Sequence, residues 1–294
     1  MVHAERSTLT MQAPSEFHYR LPQRSGGWRP GSHPGSSLGA GQEFVSHVSL
    51  YDRPDPRRLD LRASLREVRG DWLVRVNRQR VSVPVHAIVD VSASMSFGSP
   101  RTKLQVVADF VEALGQSAFR VGDALGLLAF DARERADLFV PALRGRGMGS
   151  VMASMLANCE GTGGDIAGLE QTALHLAGRH GLIFLISDFH WPLDRLGGVL
   201  DMLAHAYVVP MVIWDPAETQ PPAQDALMSL RDAESGAHRT VWMRPGLRSR
   251  WQEAVESRRA QLDLLFTARA IRPFYVNGVF DGEAMSHYFF EATA

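Results

Sequence analysis

The sequence predicts an α/β protein with a doubly wound, mostly parallel sheet and an N-terminal accessory segment. From Val83 onward, short apolar runs of strand length alternate with segments of helical periodicity, an order typical of a parallel sheet covered by crossover helices. These apolar runs end in polar residues, which is where open α/β sheets bind their ligands. The chain has 294 residues, 45% of them hydrophobic, and is therefore long enough to bury such a core.

The predicted strands are short and nearly continuous in their apolar character, as expected for strands buried on both faces. They are residues 83–90, Ala124–Phe130, Leu138–Val140, Leu182–Ser187, Tyr207–Trp214 and Phe274–Val276. Helices are predicted at Lys103–Phe119, Asp165–Ala177 and Leu193–His205, and a long final helix at 247–270. A proline-rich loop and a hairpin over 226–243 interrupt this order near 216–245.

The regions outside this pattern differ from it in composition. Residues 1–40 are rich in Gly, Pro, Ser and Arg, and we expect a flexible arm because such a stretch buries too little apolar surface to offset its ordering entropy. The residues that would anchor this arm on the body or on a partner are Phe17, Tyr19, Leu21 and Trp28. Residues 41–82 are predicted to form the accessory segment, 83–280 the main domain and 281–294 a C-terminal tail.

Composition and charge exclude several classes of function. The net charge is −1 and the sequence pI is about 6.8, so no global excess of charge favours nucleic acid or an anionic membrane. Cys159 is the only cysteine, which excludes an intrachain disulfide and a cysteine-based zinc site. No apolar run reaches the roughly 18 residues that a membrane span needs. We therefore expect a soluble, cytoplasmic protein with no transmembrane segment.

Oxygen-bearing side chains follow two of the predicted strands. They are Asp90, Ser92, Ser94 and Asp188, joined by Thr162 and Asp165 from the glycine-rich loop 160–165. Because the carboxyl ends of parallel strands lie at one edge of a sheet, these residues are expected to converge there. Hard oxygen ligands suit Mg²⁺, Ca²⁺ or Mn²⁺ rather than zinc or copper.

The motif Asp90-x-Ser92-x-Ser94, the hydroxyl of Thr162 in a glycine-rich loop and the strand-end Asp188 resemble the metal-ion-dependent adhesion site of von Willebrand factor A domains. The resemblance implies that the two serines and Thr162 bind Mg²⁺ (or Ca²⁺ or Mn²⁺), with the two aspartates acting through water or hydrogen bonds. It also implies that an acidic side chain of a partner completes the metal shell. Asp165 and His190 are expected on the rim of this site. The chain departs from the family at Gly164, where the family has the threonine, so either Thr162 reaches the metal from a remodelled loop or water takes that position.

A second resemblance lies upstream, in Gly39-Ala-Gly41-Gln-Glu43-Phe44 and in the block Tyr51–Ser64. These residues resemble the N-terminal signature of proteins encoded beside MoxR-type AAA+ ATPases, and the MxaS-type proteins of methanol dehydrogenase gene clusters look most similar. The resemblance implies a non-enzymatic, metal-dependent protein-binding adaptor that acts with a MoxR-type ATPase in the maturation or assembly of a target enzyme, such as methanol dehydrogenase, including the insertion of its metal or cofactor. The chain has no Walker A sequence, so ATP hydrolysis would come from the partner.

Other interpretations of the same residues remain open. Asp90 could be the nucleophile of a phosphotransferase, although Ser92 stands where a second carboxylate is needed and Lys103 is the only lysine. A Ser-His-Asp hydrolase lacks its Gly-x-Ser-x-Gly elbow. Asp165 has a structural alternative, because an aspartate before a helix commonly caps it.

Overall fold

The computed structural model describes residues 16–22, 30–39, 41–161, 163, 165–222, 227–231 and 238–293. Its strands are β1 Pro30–Gly39, β2 Glu43–Ser49, β3 Leu73–Val81, β4 Pro84–Asp90, β5 Ala124–Phe130, β6 Val140–Leu143, β7 Leu182–Ser187, β8 Tyr207–Trp214, β9 Leu227–Arg231, β10 His238–Trp242 and β11 Phe274–Asn277. Its α-helices are α1 Leu61–Ser64, α2 Lys103–Val121, α3 Met148–Ala157, α4 Ile166–Leu174, α5 Leu196–Met202, α6 Pro216–Thr219, α7 Pro245–Thr267 and α8 Gly282–Thr293.

The central sheet has six strands in the order β11-β8-β7-β4-β5-β6. All neighbours in it pair in parallel except β5 and β6, which are antiparallel. This confirms a mixed α/β architecture with a mostly parallel central sheet. The strand predicted at Leu138–Val140 is wrong in its bounds, because a short 3₁₀ helix occupies Ala136–Leu138 and β6 begins at Val140.

Both faces of the central sheet are covered by helices. Alternate side chains of β4 point to opposite sides, so that Val85, Ala87 and Val89 pack in one core while Ile88 packs in the other. Buried residues of α2, α3 and α8 belong to the first core, and buried residues of α4, α5 and α7 belong to the second. Strands buried on both faces account for the near-continuous apolar runs in the sequence.

Helix α2 begins and ends where its sequence provides the capping groups. Thr102 accepts a hydrogen bond from the backbone of Gln105, whose side chain accepts one from the backbone of Thr102, and this capping box satisfies two donors of the first turn. Gly122 ends the helix in the left-handed conformation that glycine adopts without strain. The helix therefore starts at Lys103, which becomes important at the site.

Residues 16–22 and 30–39 are packed, which differs from the flexible arm predicted over 1–40; the other residues of that range lie outside the described part of the chain. Phe17, Tyr19 and Leu21 are buried in the first core, and β1 pairs with β3 in a three-stranded sheet of order β1-β3-β2. These three side chains are among the residues expected to anchor the segment, and they anchor it on the body of the chain. Trp28 lies outside the described residues.

The C-terminal residues also differ from the prediction, because the tail expected over 281–294 forms α8. Met285, Tyr288 and Phe289 are buried, and their spacing places them on one helix face. The hairpin β9–β10 lies within the predicted 226–243, and the long helix α7 follows it. Among the described residues, none of the helices combines the length and apolar character that a membrane crossing requires.

Candidate functional site

The site lies at the carboxyl edge of the central sheet, where the neighbouring strands β4 and β7 end in Asp90 and Ser187. Asp90 is fully buried, and both of its carboxylate oxygens accept hydrogen bonds. Oδ1 accepts from the backbone of Ser92 at 2.9 Å, and Oδ2 accepts from Ser187 Oγ at 2.7 Å and from Trp191 Nε1 at 3.1 Å. Ser187 is the last residue of β7, and the other two donors, Ser92 and Trp191, lie within a few residues after the ends of β4 and β7.

The electrostatic environment of Asp90 disfavours its ionised form. Burial and the neighbouring charge of Asp188 raise the pKa of Asp90 to about 6, while hydrogen bonds from Ser187 and Ser92 act in the opposite direction. Two carboxylates at the ends of adjacent strands therefore need a compensating positive charge at this edge.

The predicted hydroxyl pair lies beside Asp90. Ser92 Oγ and Ser94 Oγ are 3.1 Å apart; Ser92 is buried and Ser94 is partly exposed. Ser92 precedes a 3₁₀ helix at Ala93–Ser96, and this turn brings the two side chains to the same side. The structure thus brings together Asp90, Ser92 and Ser94 as the motif predicts.

Asp188 has a partner that the sequence interpretation did not assign to it. Lys103 Nζ donates to Asp188 Oδ2 at 2.6 Å, and both side chains are buried. The other oxygen, Oδ1, accepts from the backbone of His190 at 3.2 Å, and the Asp188 carbonyl accepts from Trp214 Nε1 at 3.0 Å. The strand-end aspartate is therefore ion-paired within the chain.

Glu218 completes this cluster and was missed in the sequence. It lies on α6, just after β8, where Asp215 and Glu218 form a capping box. Its Oε1 accepts from Lys103 Nζ at 2.7 Å. Burial raises the pKa of Glu218, but His190 and the charge of Lys103 outweigh burial and lower it to about 2. The capping pattern Asp215-Pro-Ala-Glu218 after an apolar strand is the signal that could have placed it at this edge.

Three residues of this cluster offer metal ligands. One ligand atom each from Asp188, His190 and Glu218 lies within 4.8 Å of the others. Two of these residues, Asp188 and Glu218, already accept hydrogen bonds from the Lys103 ammonium. A charged ammonium and a divalent cation cannot share the space between the same two oxygens. The donor set as it stands thus fits Lys103 and not a metal ion.

The remaining predicted residues have separate roles. Asp165 caps α4 by accepting from the backbone of Ala167 at 3.0 Å, which is the structural alternative noted for it. The side chain of His190 is 42% exposed, and its ring is parallel to that of Trp214. Thr162 and Gly164, on which the third part of the motif depends, lie outside the described residues.

A cavity of about 300 Å³ opens next to the Lys103 cluster. Its walls include His190, Trp214, Glu218, Trp251, Ala254 and Arg258. The indole nitrogens are occupied, since Trp251 donates to the carbonyl of Glu218 and Trp214 to that of Asp188, so the rings present mainly apolar surface. The edge therefore combines a polar cluster, built on the buried Lys103–Asp188 pair, with an apolar recess.

Sequence comparison finds relatives of this chain in mycobacteria. It is 27% identical over 256 residues to the uncharacterized protein Rv1480 of Mycobacterium tuberculosis and to Mb1516 of Mycobacterium bovis, covering 86% of this chain and 78% of each relative.

Among solved structures, BatB from Bacteroides thetaiotaomicron is similar at 14% identity and a TM-score of 0.44, covering 72% of this chain and 98% of that one. A mussel byssus matrix protein with a zinc-occupied MIDAS motif is similar at 15% identity and a TM-score of 0.34, covering 45% of this chain and 38% of that one. Likeness at these TM-scores carries no argument about function. The family model described as "Protein of unknown function DUF58" matches residues 52–261. Because that match spans more than half of the sequence, the chain belongs to the DUF58 family.

Proposed function

We propose that the chain is a non-enzymatic protein-binding module with a von Willebrand factor A-like, doubly wound fold. It acts in the cytoplasm as an adaptor for a MoxR-type AAA+ ATPase during the maturation or assembly of a target enzyme. The observation that carries this proposal is the recess of about 300 Å³ at the carboxyl edge, lined by two tryptophans and bordered by a polar cluster. Apolar pockets of this kind, rimmed by polar groups, anchor the central residues of protein interfaces.

The rim of the recess indicates which side chains of a partner it would bind. Trp214 and Trp251 offer apolar surface for one large side chain of the partner. His190 is partly exposed at the rim and Ser94 is partly exposed beside the Asp90 cluster, and both can donate to a carboxylate. The partner segment would therefore carry an apolar anchor and an acidic side chain.

The burial of Asp90 supports a binding role over the alternative phosphotransferase. A nucleophilic carboxylate needs a free, accessible oxygen, whereas Asp90 is fully buried and accepts three hydrogen bonds. The phosphotransferase alternative predicts phosphatase turnover that disappears in Asp90→Asn, and absence of turnover in the unmodified chain would exclude it.

The divalent cation that the adhesion-site resemblance implies is not required in this proposal. Mg²⁺, Ca²⁺ or Mn²⁺ would have to bind at Ser92 and Ser94 without a free carboxylate, since Asp90 accepts from protein donors and Asp188 is paired with Lys103. The narrower assignment to MxaS-type proteins of methanol dehydrogenase assembly rests on sequence resemblance, and the neighbouring genes test it directly.

A binding assay with variants of α7 tests the proposed interface. The Ala254→Trp substitution fills the recess from an exposed position, and Ala260→Trp adds the same bulk at an exposed position of the same helix outside the recess. We expect Ala254→Trp to weaken co-purification with the MoxR-type ATPase by about ten-fold or more, and Ala260→Trp to leave it unchanged. Variants are preferable to chelation here, because the ATPase needs Mg²⁺ for its own nucleotide.

Two results would contradict the proposal. One is an unmodified chain that fails to bind a MoxR-type ATPase from the same organism, which would show that this ATPase is not the partner. The other is an equal loss of binding in both tryptophan variants, which would show that the recess is not the interface. Circular dichroism of each variant confirms that the helix remains folded.

A further inference from the structure

The chain uses lysine at a single position, and that position is the centre of the polar edge. Lys103 is the only lysine among the 31 lysines and arginines of the sequence. Arginine is a planar fork that binds through several donors, whereas lysine presents a compact point charge with three donors. The narrow space between two carboxylate oxygens accepts a compact cation.

The backbone around Lys103 does not by itself favour a positive charge. Lys103 is the first residue of α2, where the positive end of the helix dipole disfavours cations. It is nevertheless only 2% exposed, so its charge is held there by its partners. Those partners are Asp188 Oδ2 at 2.6 Å and Glu218 Oε1 at 2.7 Å, with the Phe97 ring centroid 5.9 Å from the ammonium.

The two carboxylates are supplied by separate parts of the chain. Asp188 follows β7 and Glu218 lies on α6, so Lys103 joins α2 to the ends of two neighbouring strands. Burying one carboxylate without a partner is strongly unfavourable, and two of them facing one space are more so. The Lys103 ammonium therefore occupies the position of a bound metal cation and supplies the positive charge that such a cation would otherwise supply.

We propose that the Lys103 ammonium is the resident cation of this edge and excludes divalent metal ions from the ligand group Asp188, His190 and Glu218. The wild-type chain then organises its carboxyl edge without Mg²⁺, Ca²⁺ or Mn²⁺. Removal of the ammonium leaves two carboxylates and an imidazole around an uncompensated space, and hard oxygen ligands together with an imidazole bind Mn²⁺ or another divalent ion. This inference concerns the chain alone and does not depend on the proposed partner.

Mn²⁺ titration, followed by electron paramagnetic resonance and calorimetry, tests this inference on the full chain. We expect no saturable Mn²⁺ binding by the wild type up to about 1 mM, and Lys103→Met to bind one ion at least about ten-fold more tightly. The thermal midpoint of Lys103→Met should rise on addition of Mn²⁺, while that of the wild type stays within about 1 °C.

Two further variants separate the ligand group from a general change of charge. Arg101→Gln removes an exposed positive charge two residues away, one that pairs with Asp109, and should not create Mn²⁺ binding. The double variant Lys103→Met with Glu218→Gln loses one ligand and should lose most of the Mn²⁺ affinity that Lys103→Met gains.

Each outcome of the titration decides the inference. Saturable binding of Mn²⁺ by the wild type that is lost in Ser92→Ala or Glu218→Gln would overturn it, and so would a folded Lys103→Met that binds no more tightly than the wild type. If Lys103→Met refolds only in the presence of Mn²⁺, the inference is supported. If it refolds in neither condition, the wild-type titration alone decides.

Discussion

At the scale of single residues, His86 shows how burial on a central strand changes the pKa of a side chain. It lies on β4, between Gly126 of β5 and Ile183 of β7. Burial and the positive charge of Arg179 lower the pKa of His86 from 6.5 to about 4. The folded chain thus holds a neutral imidazole at a pH where the unfolded chain is already protonated.

This difference predicts a pH dependence of stability. Because the folded pKa lies below the unfolded one, the contribution of His86 is fully present above pH 6.5 and is lost as the pH falls toward 4. We expect the free energy of unfolding of the wild type to fall by about 1–2 kcal/mol between neutral pH and about pH 5 through this residue alone. Urea unfolding of wild type and His86→Gln at both pH values measures it. An equal fall in both proteins would show that other groups are responsible.

The residues of the site were predictable only where the signal is local. Asp90, Ser92 and Ser94 lie together in sequence, and Asp188 follows an apolar run. A search for apolar strands that end in polar residues was therefore sufficient to find all four. The ion pair of Lys103 with Glu218 joins residues 115 positions apart and depends on the order of strands in the sheet. The sequence pattern contains no signal for such a contact. Lys103 was noted only because it is the sole lysine.

At the scale of elements, two glycines let α2 and α3 approach closely. A Cβ atom on Gly115 would lie 2.4 Å from the Cα of Gly149, and one on Gly149 would lie 2.8 Å from the carbonyl oxygen of Glu112. Both obstacles are backbone atoms, which cannot move aside as a side chain does. The stretch Gly145–Gly149 resembles a phosphate loop superficially. Its last residue, Gly149, instead allows α3 to pack closely on α2.

A glycine-to-alanine pair tests this contact. We expect Gly115→Ala to lower the free energy of unfolding by about 1–3 kcal/mol, because α2 and α3 must separate. Gly198→Ala on the exposed side of α5 is the matched control, since nothing lies within 4 Å of its added Cβ. Alanine favours helix, so the control should gain about 0.5–1 kcal/mol. Urea unfolding measures both, and a neutral Gly115→Ala would contradict the close contact.

Elements were predictable where periodicity is strong. The apolar face of α2 and the buried runs of β4, β5, β7 and β8 have clear patterns, and their bounds in the structure differ by a few residues at most. Helix α3 was missed because glycines and methionines gave its start the appearance of a loop. Helix α8 was missed although Asp281 caps its first turn by accepting from the backbone of Glu283 and Ala284. The short segment was assigned to a tail because it follows the last predicted strand.

At the scale of the whole molecule, a buried carboxylate connects the N-terminal segment to the main sheet. Asp123 accepts from Tyr19 Oη at 2.7 Å and from the backbone of Val83 at 2.9 Å, and it pairs with His33 Nε2 at 2.7 Å. Two parts of the chain that composition assigned to an arm and to a main domain therefore share one interior. Domain boundaries drawn from composition could not show this shared interior, because it depends on contacts between a few buried side chains.

The fully buried Phe17 provides the test of that shared interior. Its ring packs with those of Phe110, Phe184 and Phe280. We expect Phe17→Ala to reduce the free energy of unfolding by about 3–5 kcal/mol, and the exposed Phe44→Ala to change it by less than about 0.5 kcal/mol. Chemical denaturation of both variants measures this. A small effect of Phe17→Ala would restore the interpretation of residues 1–40 as an independent arm.

The packing of residues 16–22 against α8 also means that this part of the core cannot close during synthesis until α8 has been made. The backbone of His18 donates to Ser286 Oγ, although the two residues are 268 positions apart. The segment with Phe17 leaves the ribosome long before Phe280 and Phe289 are made, so one face of the core stays open to water until those residues follow. Closing so long a loop costs little more conformational entropy than closing a shorter one, but a contact between residues so far apart in sequence forms slowly. The nascent chain therefore carries exposed aromatic surface that a ribosome-associated chaperone would have to shield.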